Sequence, residues 1–301
     1  MPRHKPPPTS PPQRLQKRLA DAGLGSRRKM EQLISDGKIT LNDKLATLGV
    51  RVTASDEVRI DGRRINLPAT GGIPQVLLYH KPEGEIVSQK DPQGRASVFD
   101  KLPRIRHTKW IAVGRLDINS SGLLLFTNHG ELANRLMHPR FDVEREYAVR
   151  VWGELTPQQM QMLVAGLNLS DGPAKLESII AQGGEGANRW YHVVIKEGRN
   201  REVRRLFEAL SLTVSRLMRV RFGPIQLPSR VKRGQMLKLE PKVVLALLDW
   251  AGLPRPTTPI KQRSRHEAER AHSIFTPKIH QPIQNKRTQS KIKHRVRGNE
   301  K

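Results

Sequence analysis

Residues 114–139 read GRLDINSSGLLLFTNHGELANRLMHP. Leu123–Phe126 is a short, unbroken apolar run of the length of a buried strand. A helix is predicted to follow it, from about Glu131 to Met137. Upstream, Trp110–Val113 is another short strand. Between the two strands lies a polar loop, Gly114–Gly122, that holds one acid, Asp117. Taken bare, an aspartate in such a loop is a turn or capping residue.

Reading outward in both directions gives the same kind of element. Val76–Tyr79 is a strand, and Tyr147, Val149 and Val151 alternate with polar or small residues as a strand does. Thr156-Pro157 supplies a cap and a first-turn proline for a helix carrying Met160, Leu163 and Val164. Trp190–Lys196 and Ser215–Phe222 are strands, Asn200–Leu210 and Val243–Trp250 helices. Gly183–Gly186 is a hairpin loop, because no helix start or Lys-Ser/Thr follows it as a phosphate loop needs. Strands and helices mix without strict βαβ alternation, so the expected fold class is α+β with a mixed sheet.

Four segments are expected along the chain. Residues 1–12 are Pro-rich and polar and should be disordered, residues 13–70 form a small domain and its linker, residues 71–252 form the larger domain, and residues 253–301 form a second disordered tail. In the small domain Leu15, Leu19 and Ala22 mark a helix stopped by Gly23. Ser26 caps a second helix with Met30, Leu33 and Ile34 inside, stopped by Gly37. Ile39–Leu41, Val50–Val52 and Val58–Ile60 are short strands. Arg14, Lys17, Arg18, Arg27, Arg28, Lys29 and Lys38 crowd the two helices and their edge, a candidate phosphate-binding surface. The last tail carries 13 Lys/Arg against 3 Asp/Glu, with a short helix expected around Glu267–His272 and weak phosphate contacts.

The chain of 301 residues has 54 Lys plus Arg against 28 Asp plus Glu, a net charge of +26, which points to a polyanionic partner. With no cysteine, disulfides, a catalytic thiol, thiolate zinc sites and iron–sulfur clusters are excluded. The 10 histidines lack metal-ligand spacing, so no metal site is expected. Apolar runs are far shorter than a membrane span, and the basic N-terminus has no apolar core. A cytoplasmic, nucleic-acid-binding protein without a membrane partner is the expectation.

The order of residues is more specific than their composition. RLQKRLADAGLGSRRKMEQLISDGKITLND, from Arg14 onward, resembles the S4 RNA-binding domain. GRLDINSSGLLLFTNHGELANRLMHP resembles the catalytic segment of pseudouridine synthases, and the likeness runs on through YHKPEGE near Lys81, REYAVRV around Tyr147 and EGRNREVRRL at 197–206. Together these motifs place the chain among the S4-bearing rRNA pseudouridine synthases. The resemblance implies isomerisation of a single uridine of 23S rRNA in the peptidyl transferase region, uridine 2605, in naked or partly assembled large-subunit RNA. It implies no cofactor, since the reaction needs neither redox change nor group donor, and a monomer. A synthase of the same group acting on another rRNA uridine shares these motifs. A non-catalytic ribosome-assembly protein would keep the S4 module and the tail, but intact Asp117, Tyr147 and Arg204 argue against it.

The resemblance also assigns roles. Asp117 becomes the essential carboxylate, acting either as nucleophile or as the base that takes a sugar proton. Either role needs it ionised and aimed, so a cation partner is expected. With about 100° per residue, Arg204 falls at the border of the apolar stripe formed by Val203, Leu206, Phe207 and Leu210, while Arg201 and Arg205 turn toward solvent. Arg204 aligns with the family's basic residue and is expected to form a salt bridge with Asp117. Tyr147 becomes the tyrosine that stacks on the base and assists proton transfer. Arg115 either fills the space left by an extruded uridine or contacts phosphate. Val203 lines the base pocket or simply the core. Lys81, His138 and Arg219 are RNA contacts or scaffold.

Overall fold

The computed structural model describes residues 12–67, 72–105 and 108–256. The helix expected around Glu267–His272 and most of both tails lie outside the described residues.

The first unit is built from short pieces. Strand β1 (Gln13–Arg14) leads into α1 (Leu15–Asp21), and α2 (Arg27–Ser35) follows. The Ser26 side chain accepts the Lys29 amide and caps α2 as its position predicts. Strands β2 (Ile39–Leu41), β3 (Lys44–Leu45), β4 (Arg51–Val52), β5 (Val58–Ile60) and β6 (Arg63–Ile65) complete the unit. β3-β2-β5-β6 form one antiparallel sheet, and β1 pairs with β4. Leu15, Leu19, Met30, Ile34, Ile39, Val52 and Val58 make its core, so both helices turn their apolar stripes onto the sheet.

The second unit is organised by one mixed nine-stranded sheet. In chain order its elements are β7 (Val76–Lys81), β8 (Ile111–Val113), β9 (Ser121–Thr127), α3 (Gly130–Met137), β10 (Arg145–Trp152), α4 (Pro157–Ala165), the small hairpin β11 (Leu167–Leu169) and β12 (Gly172–Ala174), β13 (Ser178–Gly183), β14 (Asn188–Ile195), α5 (Glu202–Glu208), β15 (Thr213–Phe222), β16 (Ile225–Gln226), β17 (Met236–Lys238) and α6 (Pro241–Trp250). The strand order is β13-β14-β10-β15-β9-β7-β17, with β8 beside β9 and β16 beside β15. All pairings are antiparallel except β15 with β9, the seam at the middle of the sheet.

Alternation along the strands divides the core in two. Tyr79, Leu124, Phe126, Tyr147, Val149, Tyr191, Val193 and Leu217 point to one face, covered by α4 and α5. Val76, Leu78, Leu123 and Leu125 point to the other, covered by α3 and α6. The Gly183–Gly186 turn joins β13 to β14, as read from its composition. The α5 helix starts two residues later than periodicity predicts, because Arg201 stands in the left-handed region at φ 50°.

The two units touch. Lys17 of α1 reaches Glu131 of α3 at 3.5 Å, and Lys109 donates to the Gly25 carbonyl. Among the described residues no helix is long and apolar enough to cross a membrane.

Candidate active site

The Gly114–Ser120 loop leaves β8 and enters β9 on the face covered by α5. Two buried cations hold its backbone. Lys81, at the end of β7, has no exposed surface, and its Nζ donates to the carbonyls of Pro82 at 2.9 Å, Asp117 at 3.1 Å and Ser120 at 2.8 Å. Burial pushes this ammonium down to about 8, against the pull of Glu85 and Asp117. Arg204, on α5, donates Nη2 to the Asn119 carbonyl at 2.8 Å and Nη1 to the Val214 carbonyl at 2.7 Å. The Ser120 amide closes the turn on the Asp117 carbonyl at 3.0 Å. Three backbone oxygens of the loop, those of Asp117, Asn119 and Ser120, are thus tied down, and the half-buried Asp117 carboxylate keeps no hydrogen bond or ion pair among the described residues.

This corrects the expected salt bridge. Arg204 lies near enough to feel Asp117, but both its Nη atoms go to carbonyl oxygens and its buried Nε has no partner among the described residues. The cation positions the loop, and the loop positions the acid.

Asp117 opens onto a cleft of about 550 Å³. Tyr147 on β10, Val203 on α5 and Leu217 on β15 are buried in its wall, and Arg115 stands exposed at its rim. The Tyr147 hydroxyl has no partner among the described residues, so like Asp117 it faces the cleft unspent. Register explains why these side chains converge. Tyr147 pairs with Arg219 across β10 and β15, and Arg219 pairs with Gly122 across β15 and β9. A Cβ on Gly122 would sit 2.3 Å from the Arg219 carbonyl, so glycine lets the parallel seam close beside the cleft.

Other candidates fall elsewhere. Lys81 is sealed beneath the loop and cannot touch RNA; its N–H groups are all committed to backbone. His138 is exposed and outside the cleft wall, where it caps the short turn Pro139–Phe141 by accepting the Arg140 amide. Arg219 is in the wall, but 2% exposed. In the first unit Arg14, Arg27, Arg28 and Lys38 are exposed, whereas Lys17 is engaged with Glu131 and Arg18 is buried at 6%, because α1 turns it toward the core. Arg145 was not singled out from the sequence, yet it lines the cleft. Its signal was available: it stands two residues before Tyr147, hence on the same strand face.

Residues 75–209 match the model of the RNA pseudouridylate synthase family, and residues 13–58 match the S4 domain. A curated ribosomal large subunit pseudouridine synthase B of Pseudomonas aeruginosa is 49% identical over 261 residues, covering 86% of this chain and 68% of the relative. Proteins of the same name from Yersinia pestis and Escherichia coli K12 are 52% identical over 233 residues and 51% over 249, covering 76% and 82% of this chain and 73% and 86% of theirs. A solved pseudouridylate synthase structure superposes with a TM-score of 0.54 at 22% identity, over 78% of this chain and 99% of that one, which shows the shared fold. With an S4 unit ahead of a mixed sheet whose central seam presents an unpartnered aspartate to a cleft, the chain belongs to the RNA pseudouridylate synthase family, among its S4-bearing members.

Proposed function

We propose that this protein isomerises a single uridine of 23S rRNA, uridine 2605 in the peptidyl transferase region, to pseudouridine, with Asp117 as the reacting carboxylate. The observation that carries the reading is the Asp117 carboxylate itself: its loop is clamped by Lys81 at the Asp117 carbonyl and by Arg204 at the Asn119 carbonyl, while the carboxylate oxygens are left free toward the cleft. The names of the relatives, which specify the ribosomal large subunit, support the choice of RNA.

The reaction breaks the C1′–N1 bond, turns the base, and makes a C1′–C5 bond. The C5 proton leaves and N1 gains one. Atoms and charge balance within the nucleotide, so no cofactor is required. A carboxylate serves either by attacking C1′ or by removing a sugar proton. The uridine must first leave its stack. Arg115, at the rim, occupies the vacated position or holds a phosphate, while Tyr147 and Val203 grip the base. The S4 unit, residues 13–70 with its linker, brings the catalytic unit, residues 71–252, to the RNA as a monomer through exposed Arg14, Arg27, Arg28 and Lys38. The basic tail, residues 253–301, adds phosphate contacts.

The test is reverse-transcription mapping of pseudouridine after carbodiimide treatment, on unmodified 23S and 16S rRNA with no cofactor added. One new stop in 23S rRNA is expected with the parent protein, and none with Asp117→Ala, which should still bind. A stop at another uridine would overturn the site, and no stop in either RNA would overturn the reaction.

A further inference from the structure

The cleft contains two more arginines that no carboxylate pairs directly, although Arg145 feels Tyr147 and the buried Glu202. Arg219 is 2% exposed and Arg145 8%. Burying a guanidinium without a counter-charge is costly. Yet among the described residues neither makes an ion pair, and neither has its donors filled. Arg219 gives only Nε, to the Leu123 carbonyl at 2.8 Å, and its Nη2 is enclosed without a partner. Arg145 gives Nη1 to the carbonyls of Lys196 and Glu197.

Arg221 supplies the internal contrast. It stands two residues after Arg219 on the same strand, and it is saturated: Nε on Glu146 at 2.8 Å, Nη2 on Glu144 at 3.2 Å, Nη1 on the Gly223 carbonyl at 3.1 Å. A bulge between the pairs Glu146–Arg221 and Tyr147–Arg219 separates the two arginines. It sends Arg221 to the acids on the far face and leaves Arg219 beside Tyr147 in the cleft wall. The ring of Phe222 then gathers the two, with the Arg219 guanidinium 4.8 Å and that of Arg145 5.2 Å from its centroid.

We infer that Arg219 and Arg145 form a phosphate subsite within the cleft, which holds a phosphodiester of the extruded nucleotide while Asp117 and Tyr147 face its sugar and base. This deepens the proposed reaction and rests on it. Uracil is neutral, so the anion that an RNA substrate brings into the cleft is its phosphodiester. Guanidinium forks suit phosphate oxygens. The cost of desolvating the two cations is already met in the folded protein, so the phosphate finds a prepared site.

The test is a cycle between protein and RNA. The 23S rRNA stem-loop carrying the proposed uridine is made with either flanking phosphate replaced by a neutral methylphosphonate. Dissociation constants and single-turnover rates are measured for the parent, Arg219→Gln, Arg219→Lys and Arg145→Gln. For the parent, one neutral linkage should weaken kcat/KM or binding by about 30-fold or more. Arg219→Gln should lose a similar amount on native RNA and almost nothing further on the modified RNA, and Arg219→Lys should recover part of the loss. Arg221→Gln serves as the structural control: it should lower the melting temperature and leave the phosphate penalty intact. Equal phosphate penalties in the parent and in both Arg219 variants, or no penalty in the parent, would overturn the subsite. The binding arm is read whether or not product forms, so parent protein that binds the stem-loop without making pseudouridine would sink the proposed reaction and still decide the subsite.

Discussion

The same residue type does opposite work in the two units. In the S4 unit, Arg14, Arg27, Arg28 and Lys38 are exposed, project into solvent and act through a field that salt screens. In the catalytic unit, Lys81, Arg145, Arg204 and Arg219 are buried, and they act through N–H directions. Exposed cations are interchangeable to a first approximation. Buried ones are not, because each is matched to particular carbonyl oxygens, and losing it leaves those oxygens orphaned in a low dielectric.

That contrast is sharpest at the loop clamps. Arg204→Met removes the side-chain donors of the Asn119 and Val214 carbonyls, and Lys81→Met removes those of Pro82 and Ser120 and leaves the Asp117 carbonyl to the Ser120 amide alone. Either should slow single-turnover pseudouridine formation by about 10²-fold or more, since small displacements of a reacting group cost that much. RNA affinity in a filter-binding assay should scarcely move. Weakened affinity at an unchanged rate would mean that the buried cations behave like the surface ones.

Glycines give the next comparison. Gly122 and Gly49 both have positive φ, but a Cβ at Gly122 meets the Arg219 carbonyl, whereas at Gly49 it meets open space. Gly122→Ala should destabilise by about 3 kcal/mol or more, and Gly49→Ala by about 1 kcal/mol, read from denaturant melts. Equal losses would show that the seam beside the cleft yields.

Lys81 also titrates within reach of experiment. Its folded value is about 8, below the ordinary 10.5. Between these values the unfolded chain holds a proton that the native chain has lost, so this group makes stability rise with pH there, and its cost is fully present below pH 8. Activity should run the other way, falling above about pH 8 as the amine loses one of its three N–H donors. Lys81→Arg, always charged, should abolish that limb of the rate profile.

The smallest effects belong to the surface. Arg27→Gln and Arg28→Gln should each flatten the slope of log affinity against log salt by up to about one and leave the single-turnover rate alone. A changed rate would mean that the S4 unit also orients the RNA in the cleft.

Much of this was legible in local pattern. Leu123–Phe126, Tyr147–Val151, the Thr156-Pro157 start of α4 and the Ser26 cap of α2 are each specified by residues next to one another, and all appear where periodicity places them. Edge strand β17, Met236–Lys238, carries no such pattern; it is a strand because β7 offers it a partner. The aspartate, the tyrosine and the helix bearing Arg204 were readable as motif. What Arg204 and Lys81 hold was not.

The sequence by itself therefore determined the element order, the α+β class and the basic surface, because periodicity, capping and charge are properties of neighbours along the chain, while the S4 reading and the candidate acid came from the resemblance of its motifs. Only the tertiary structure decided where the cations point. The bulge that parts Arg219 from Arg221, the carbonyls that Arg204 holds and the seam at Gly122 join residues far apart in the chain. A side chain's hydrogen-bond partners are set by that packing, and residue identity alone does not contain it.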